Sequence, residues 1–285
     1  MQAHKEQWPI EDMARLLGVS RSGYYKFCRK QSSKWQNENE LLLQTIRAIF
    51  MMSRQTYGSP RIHAELKEQG FKCSRRRVAR LMRKANLVAK MRKFFKRTTR
   101  VDGRRKAAPN LLEQNFSAIL PNQKWVADIT YVKTLEGWLY VSIILDLFSR
   151  KVIGLAMNDT LHTPLVTQAL KQALQRRRPN ESLQHHSDRG CQYTSEAFQR
   201  LLDAHGIVCS MSGTGNCYDN AVAESFFHTL KTECVNFDRY ETREQAKESI
   251  FEYIEVFYNN QRRHSTLGYV SPAEFERRFY QPLCS

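Results

Sequence analysis

The spacing of apolar residues changes once along the chain, from a helical period to an alternating one. Ile10, Met13 and Leu16 stand three residues apart and the run stops at Gly18, which predicts a short helix. Ser20 is placed to cap a second short helix. Amphipathic patterns predict three further helices, over 40–53, 61–70 and 75–87. The first part of the chain is therefore predicted to be all α.

From about residue 120 the pattern is one of strands joined to helices. Three strands are predicted in succession, over 124–134, 137–149 and 150–157. Predicted helices over 163–178, 195–206, 221–234 and about 242–261 then alternate with predicted strands over 183–188 and 207–212. Consecutive strands followed by alternating helices and strands predict an α/β fold, with a mixed sheet flanked by helices.

The excess positive charge is confined to the predicted helical part. The whole chain carries a net charge of +17. Residues 1–110 hold 27 Lys and Arg against 8 Asp and Glu, whereas residues 111–285 hold 18 against 20. Because the basic residues are interleaved with apolar helix patterns, the charge indicates a nucleic-acid-binding front on a nearly neutral body. A solvated, soluble tail is the alternative.

Two helix-turn-helix units are predicted in this basic front. In the first, Ala14 and Gly18 allow a close helix crossing, with an ordinary helical hairpin as the alternative. In the second, the helix after Ser74 is strongly basic, and a charged exposed helix is the alternative. The candidate DNA contacts are Arg21 and Tyr24 in the first unit and Arg75, Arg76, Arg77 and Arg80 in the second.

Three acidic residues lie far apart in the chain but at functional positions in the predicted elements. Asp128 falls within the first strand, where a lone buried carboxylate is costly. Asp188 ends the fourth strand, and Glu224 lies in the helix after a glycine-containing loop. Each has an ordinary alternative: a hydrogen-bonded strand residue, an Asx turn, and a helix cap. The spacing of Glu224 from Asn220 disfavours the last of these.

Together the three acids form a hard, all-oxygen donor set, which suits Mg²⁺ or Mn²⁺ better than zinc. Two such ions about 3.5–4 Å apart suit phosphodiester chemistry. Helical spacing places Glu224, His228 and Lys231 on one face of their helix. Lys231 and His228 are therefore candidate contacts for a DNA phosphate beside the metal ions.

Other titratable residues near these acids receive more ordinary interpretations. His185 and His186 are adjacent, so on a strand they face opposite ways and cannot chelate one ion together. His186 is interpreted as a residue that supports the site or faces DNA. Asp146 is interpreted as the partner of Arg150 or as the end of its strand. The seven cysteines form no C-x-x-C pair, which argues against a disulfide framework or a zinc site.

Five stretches carry a resemblance to a known family: WVADITYV, YVSIILDLFSRKVIG, HHSDRGCQYTS, DNAVAESFFHTLKTE and YNNQRRHSTLGYVSPAEF. Together they resemble the retroviral-integrase-type DDE transposases, and more closely the second-frame product (OrfB) of IS-three-family insertion sequences. The resemblance implies an RNase H-like catalytic core. It also implies a catalytic and metal-binding triad of Asp128, Asp188 and Glu224, with 35 residues between the last two. The family's basic residue seven positions after the glutamate is matched by Lys231.

The resemblance also implies an activity and partners. Members of the family cut one strand at a transposon end, and the freed 3′-hydroxyl joins the other end, in Mg²⁺-dependent strand cleavage and transfer. The expected partners are double-stranded DNA (terminal repeats and target), the first-reading-frame protein (OrfA) or its fusion, and further copies of the chain on DNA. A non-catalytic DNA-binding regulator or accessory subunit is the alternative, and an RNase H-type nuclease is a third reading.

The expected organisation has four parts: a helix-turn-helix over 1–35, a second helix-turn-helix-like domain over 36–98, a basic linker over 99–118, and the RNase H-like core with C-terminal helices over 119–280. The longest apolar run, about ten residues around Asp146, is too short to span a bilayer. No signal peptide is expected. The expected location is the bacterial cytoplasm, in association with the nucleoid.

Overall fold

Helices predominate among the described residues up to 90 in the computed structural model, which describes residues 1–28, 34–90, 108–179, 182–213 and 217–281, the side chains of 217 and 218 excepted. The helices are α1 (Ile10–Leu16), α2 (Arg21–Cys28), α3 (Lys34–Met52), α4 (Ser59–Glu68) and α5 (Arg75–Lys84). The two predicted caps are present, because the Ser20 and Ser74 hydroxyls accept from the N–H groups of Gly23 and Arg77. Residues 99–107 of the predicted linker lie outside the described residues.

Helix α3 begins six residues before the predicted helix, which was placed at 40–53. Its first turns are polar, so apolar spacing did not reveal them. Asn39 is nevertheless buried there, and its side-chain amide donates to the carbonyl oxygen of Trp35, one helical turn earlier. A polar stretch can therefore extend a helix when a side chain within it is satisfied locally.

The two helical units differ in what they bury. Helices α1 and α2 bury Ala14, whereas Leu16 and Phe27 remain largely exposed. Helices α3–α5 bury Ile46 and Ile62 completely and share one apolar cluster with the sheet that follows. The second unit is thus packed onto the body of the protein, and burial of this kind is the main source of helix stability.

A five-stranded mixed sheet forms the body, as the predicted fold class requires. Its strands are β1 (Lys124–Thr134), β2 (Gly137–Asp146), β3 (Val152–Asn158), β4 (Gln184–Ser187) and β5 (Val208–Met211), arranged in the order β3-β2-β1-β4-β5. Strands β1, β2 and β3 pair antiparallel, and β1, β4 and β5 pair parallel. Parallel neighbours need crossover connections, and the helices between them supply these.

Helices cover both faces of the sheet. On one face, α6 (Thr163–Arg177) and α7 (Glu196–Ala204) pack against alternate residues such as Trp125 and Ala127. On the other, α8 (Ala221–Glu233) and α9 (Arg243–Phe251) pack against Val126 and Val132. The period-two alternation of β1 therefore divides its side chains between two cores, and Asp128 belongs to the α8 face.

Several predicted elements extend beyond the observed ones, among them β2, β3 and the helix predicted over 242–261. Strand β2 ends at Asp146 rather than at residue 149, because the Asp146 carboxylate accepts the N–H groups of Asn122 and Phe148 and turns the chain. Strand β3 accordingly begins at Val152. The helix predicted over 242–261 becomes α9 followed by a π-helical segment, Glu252–Tyr258.

The C-terminal helix α10 (Pro272–Tyr280) begins directly after Ser271, within a Ser-x-x-Glu stretch. The Ser271 hydroxyl accepts from the N–H of Glu274, while the Glu274 carboxylate pairs with Arg277 and Arg278. Among the described residues, no helix combines the length and apolar character needed to cross a membrane.

Candidate catalytic carboxylate site

Asp128 and Asp188 stand at matching positions on neighbouring parallel strands. The β1–β4 register places Val126 opposite His186, and β4 ends at Ser187. Asp128 and Asp188 are each two residues further along their chains. Since adjacent strands lie about 4.8 Å apart and side chains repeat every second residue, this register brings the two acids together on the α8 face.

Glu224 and Lys231 reach the same place from α8, which packs against β1. Asn220 stands at the start of this helix and donates its side-chain amide to the carbonyl oxygen of Ala127, 3.1 Å away. The bond joins the first turn of α8 to the residue before Asp128. Asn220 was anticipated as the N-cap, but its side chain makes this contact with β1 and no capping bond.

The pKa of Asp128 is shifted by both other acids. Burial raises the pKa of Asp128 well above its ordinary value, and the negative charges of Asp188 and Glu224 raise it further. The N–H of Ile129, which the Asp128 carboxylate accepts at 2.8 Å, and the charge of Lys231 oppose this shift. Burial also raises the pKa of Asp188. Carboxylates gathered in this way favour a bound cation or a proton.

Lys231 lies between the acids and an aromatic ring. Its Nζ stands 5.1 Å from the centroid of the Tyr131 ring. Burial lowers the pKa of Lys231, and the charges of Tyr131 and Asp128 counter that effect. The ammonium group is thereby held on the same side of the sheet as the carboxylates. Glu224 and His228, on the same face of α8, are exposed.

The acids approach one another without forming a closed ligand shell. In the part of the chain that the structure describes, no group of three His, Cys, Asp or Glu side chains lies at metal-binding spacing. The pKa of Asp128 nevertheless responds to both other acids. The arrangement is therefore a cluster of like charges around Asp128, with Glu224 on its exposed side.

Tyr193 is a neighbour of the site that the sequence analysis missed. Its side chain is fully buried, and burial together with the charges of Asp128 and Asp188 raises its pKa well above the ordinary value. Tyr193 also packs edge-on against Phe198, with ring centroids 5.4 Å apart. Its position in the HHSDRGCQYTS stretch, five residues after Asp188, was the available signal.

The two histidines before Asp188 point to opposite faces, as their adjacency predicted. His185 packs against Phe198 in the α6–α7 core. His186 is fully buried and hydrogen-bonds to the hydroxyls of Ser210 and Ser212, at 2.8 and 3.2 Å. The expectation that His186 could face DNA was therefore wrong, because its side chain is buried and bonded inside the fold. The interpretation that His186 supports the site stays a prediction. Burial lowers the pKa of His186 to about 4, which keeps the imidazole neutral.

The candidate DNA contacts of the helical units differ in availability. Arg75 and Arg76 are exposed at the start of α5. Arg77 is turned inward, with its Nε 2.8 Å from Oδ1 of Asn39, and Arg80 lies over the Trp35 ring. In the first unit, Arg21 pairs with Glu11 at 2.9 Å, and Tyr24 contacts the Tyr25 ring.

The far end of α8 is held by a second buried cluster, which the sequence analysis did not foresee. The Glu233 carboxylate accepts two hydrogen bonds of 2.7 Å from the Arg262 guanidinium and one of 2.8 Å from the Tyr253 hydroxyl. Arg61 of α4 lies 3.3 Å away. Burial opposes the charge of Glu233, but the bonds and charge of Arg262, aided by Arg61, lower its pKa below the ordinary value.

The same C-terminal segment joins the second helical unit to the body. Arg263 pairs with Glu65 and Glu68 of α4, and its backbone N–H donates to the Tyr57 hydroxyl at 2.7 Å. Asn259 meanwhile bonds to both the N–H and the carbonyl of Val152 on β3. The YNNQRRH stretch, to which no role was assigned from sequence, is therefore a structural connection between α4, α8 and the sheet.

Three family models match the chain. One described as "Integrase core domain" matches residues 120–217, a second with the same description matches residues 224–279, and one described as "HTH-like domain" matches residues 36–95. These matches agree with the mixed sheet flanked by helices and with the α-helical unit before it. The predicted fold class is confirmed.

Retroviral integrases are among the solved structures that align with this chain. A simian T-cell lymphotropic virus intasome in complex with PP2A regulatory subunit B56 gamma aligns with a TM-score of 0.49 and 15% identity, over 78% of this chain and 72% of that one. The HTLV-2 integrase catalytic core domain in complex with magnesium (dimeric form) aligns with a TM-score of 0.40 and 17% identity, over 58% and 100%.

Much closer relatives come from bacterial insertion sequences. The "Insertion element IS600 uncharacterized 31 kDa protein" of Shigella sonnei is 43% identical over 269 residues, which are 94% of this chain and 99% of the relative. "Transposase InsF for insertion sequence IS3A" of Escherichia coli (strain K12) is 42% identical over 281 residues, which are 98% and 97%. At this identity over nearly the full length, the chain belongs to the insertion-sequence transposases of the IS3 family.

Proposed function

We propose that Asp128, Asp188 and Glu224 are the catalytic triad of this transposase. In this proposal they hold divalent ions, two Mg²⁺ or alternatively Mn²⁺, that promote cleavage of one DNA strand at the element ends and transfer of the 3′-hydroxyl. The observation that carries the proposal is the β1–β4 register, in which Asp128 and Asp188 are neighbours on the face of the sheet against which α8 packs. The raised pKa of Asp128, caused by burial and then by the charges of Asp188 and Glu224, supports it. Carboxylates gathered at one place cost free energy, and a bound cation relieves that cost.

The donor set fits hard divalent ions, because it is made of carboxylate oxygens without a cysteine. When bound, such ions activate the attacking water or hydroxyl and stabilise the leaving oxygen. The protein's own residues supply the framework. Asp128 and Asp188 are set by adjacent strands, and Glu224 is presented by the helix that Asn220 attaches to β1.

Lys231 would position the DNA rather than take part in bond making. Its ammonium group is close enough to Asp128 to influence the pKa of that acid, and it rests on the Tyr131 ring. A DNA phosphate held there would lie beside the carboxylates. His228, one turn before it, and the exposed Arg75 and Arg76 of α5 are proposed as further phosphate contacts.

The experiment is cleavage of short duplexes that carry the element ends, with Mg²⁺ present. Asp188→Asn is expected to reduce nicking by at least about 10³-fold, or about 4 kcal/mol in the activation barrier, while DNA binding persists. Asp203→Asn, an exposed acid on α7, is the matched control and should retain activity. If the unaltered chain binds ends but never nicks, with or without the first-frame protein, the chain is an accessory DNA-binding subunit instead.

The assembly is part of the same proposal. Residues 1–35 and 36–98 would act as two DNA-reading units, 99–118 as a basic linker and 119–280 as the catalytic core. The proposed partners are element-end and target DNA, the first-frame protein or its fusion, and further copies of the chain on DNA. A joined-strand product that requires the first-frame protein would support that partnership, and cleavage of RNA–DNA hybrids without joining would favour a nuclease.

A further inference from the structure

Arg150 is a largely buried cation without a carboxylate partner among the described residues. Asp146 was expected either to pair with Arg150 or to end its strand. Strand β2 does end at Asp146, and the Asp146 carboxylate accepts the backbone N–H groups of Asn122 and Phe148 rather than the guanidinium. The Arg150 guanidinium donates through Nη2 to the carbonyl oxygen of Phe116 at 3.1 Å, while its Nη1 is buried without a hydrogen-bond partner in the described residues. A neutral carbonyl satisfies one donor but does not neutralise the charge.

The backbone at Arg150 is itself unusual. It adopts a left-handed conformation with φ of 60°, which side-chain-bearing residues rarely adopt. Its carbonyl oxygen accepts the Tyr258 hydroxyl at 3.0 Å, so the turn is anchored from the C-terminal segment. The guanidinium is therefore held at a fixed place and is not a freely moving surface cation.

Arg150 lines a cavity of about 180 Å³ on the side of α8 away from Lys231. Polar groups converge on this cavity from two elements. Ser225 and Thr229 come from α8, and His264 and Thr266 come from the loop before α10. The Thr266 hydroxyl lies 2.8 Å from Nδ1 of His264. Hydroxyl and guanidinium donors around a small cavity are the groups that bind phosphate oxygens.

The electrostatic surroundings of the cavity are positive. Burial lowers the pKa of His264 to about 4, and the charges of Arg262, Arg150 and Arg61 push it in the same direction, against the smaller opposing effect of Glu233. The imidazole is therefore neutral, and the net local charge comes from the guanidinium groups. A positive potential in a partly enclosed cavity attracts an anion more strongly than the same charges do in open water.

We propose that Arg150, Ser225 and Thr229 in this cavity bind a phosphate group of DNA that is adjacent, on the same strand, to the phosphate being cut. Thr266 also lines the cavity, but its hydroxyl is engaged with His264 and is not one of the proposed ligands. Ser225 directly follows Glu224 in α8, and both side chains are exposed. A strand that reaches the carboxylates therefore continues past the mouth of the cavity. The inference rests on DNA as the substrate of the proposed catalytic site, and it adds a second point of attachment that fixes the strand's path.

The test measures DNA binding without chemistry. A labelled end duplex is titrated with the full chain by fluorescence anisotropy over a range of NaCl concentrations, without divalent metal. Thr266→Glu places a carboxylate at the cavity, and Thr266→Gln is its neutral control of matched size, since both remove the hydroxyl. Arg150→Gln removes the charge directly, and thermal melts check that each variant is folded.

The expected result is a smaller dependence of affinity on salt. The slope of log K against log salt concentration is negative, and its magnitude should decrease by about 0.9 for each lost phosphate contact in Thr266→Glu and Arg150→Gln. The slope should stay unchanged in Thr266→Gln. An unchanged slope in folded Thr266→Glu and Arg150→Gln would overturn the proposal. Because no cleavage is read, this result is independent of whether the carboxylates prove catalytic.

A second measurement distinguishes the possible sources of the anion. Inorganic phosphate is added at constant ionic strength, and its effect on the melting temperature is compared between the Thr266→Gln and Thr266→Glu variants. Stabilisation confined to Thr266→Gln, together with the altered slope on DNA, supports a phosphate site used by the strand. Stabilisation by free phosphate without any change in the DNA slope would assign the cavity to a small anion and overturn the DNA proposal. If an acidic peptide, but not inorganic phosphate, competes with the labelled duplex for the protein, the DNA proposal is also overturned.

Discussion

Two partly buried carboxyl groups, one facing helix α8 and one at its last residue, have different surroundings. Asp128 faces the first half of the helix, where Asp188 and Glu224 add negative charge and raise its pKa beyond the effect of burial. Glu233 is the last residue of the helix, where Arg262, Arg61 and the Tyr253 hydroxyl lower its pKa despite burial. Both acids lose water on folding, so the neighbours decide the direction of each shift.

The difference separates an acid that maintains the fold from one that is available for chemistry. Arg262 satisfies Glu233 with two charge-assisted hydrogen bonds of 2.7 Å, and no further cation is required there. Asp128 accepts one N–H, from Ile129, and otherwise meets the like charges of Asp188 and Glu224, with Lys231 as the opposing charge. The folded protein bears this electrostatic cost until a cation binds, which is the expected property of a metal-dependent site.

Removing Arg262, the main partner of Glu233, should have the largest effect on the stability of the folded protein. Arg262→Met leaves the Glu233 carboxylate buried with Arg61 as its remaining cation. Breaking a buried pair on one side costs about 3–5 kcal/mol. Urea unfolding would measure the loss, and Lys247→Met is the control. The exposed Lys247–Glu244 pair lies at a similar distance of 3.0 Å, and its loss should change stability by no more than about 0.5 kcal/mol. Equal losses in the two variants would contradict the comparison.

Neutralising Asp128 should change the free energy of unfolding in the opposite direction from Arg262→Met, and by a smaller amount. Asp128→Asn keeps an oxygen that can accept the N–H of Ile129 but removes the negative charge beside Asp188. We expect the metal-free protein to become more stable by about 1–2 kcal/mol, as when a strained functional site is relieved. Thermal unfolding in the presence of EDTA would measure this gain. A clear loss of stability would show that the Asp128 carboxylate is a structural group like Glu233.

The pH dependence of these two changes should differ in direction as well. The pKa of Asp128 is raised on folding, so its charge destabilises the folded state increasingly as pH rises from the unfolded value of about 3.9 through the raised one. The gain in stability that Asp128→Asn gives the metal-free protein should therefore become smaller as the pH is lowered. The pKa of Glu233 is lowered, so its stabilising contribution is full above about 4.3 and is lost as pH falls through the lower folded value. Melting temperatures across the acidic range would detect both trends, and a gain in Asp128→Asn that grew on acidification would contradict the first.

Local patterns in the sequence were sufficient for much of this picture. The alternation over 124–134 predicted β1 with the bounds that the structure has, and it assigned Asp128 to the face opposite Trp125 and Ile129. The positions of Asp188 after a strand and of Glu224 in a helix also follow from local periodicity. Such features depend on residues near one another in the chain, which is why spacing alone reveals them.

The contacts that hold the site together could not be read in the same way. The bond from Asn220 to Ala127 spans 93 residues, and Arg61 approaches Glu233 across 172. Asp146 illustrates the difficulty, since Arg150 is its close sequence neighbour, yet backbone N–H groups occupy its carboxylate. Partner choice among buried polar groups is decided by tertiary packing, for which sequence proximity is a poor guide.

The most direct test of the central claim is a calorimetric titration of the folded, DNA-free protein with Mg²⁺. Divalent binding should be measurable in the unaltered chain and in the Asp203→Asn control, and it should be lost or strongly weakened in Asp128→Asn and Asp188→Asn. Binding of Mg²⁺ to folded Asp128→Asn and Asp188→Asn with unaltered affinity would contradict the account, because these acids would then not be the groups that hold the ion.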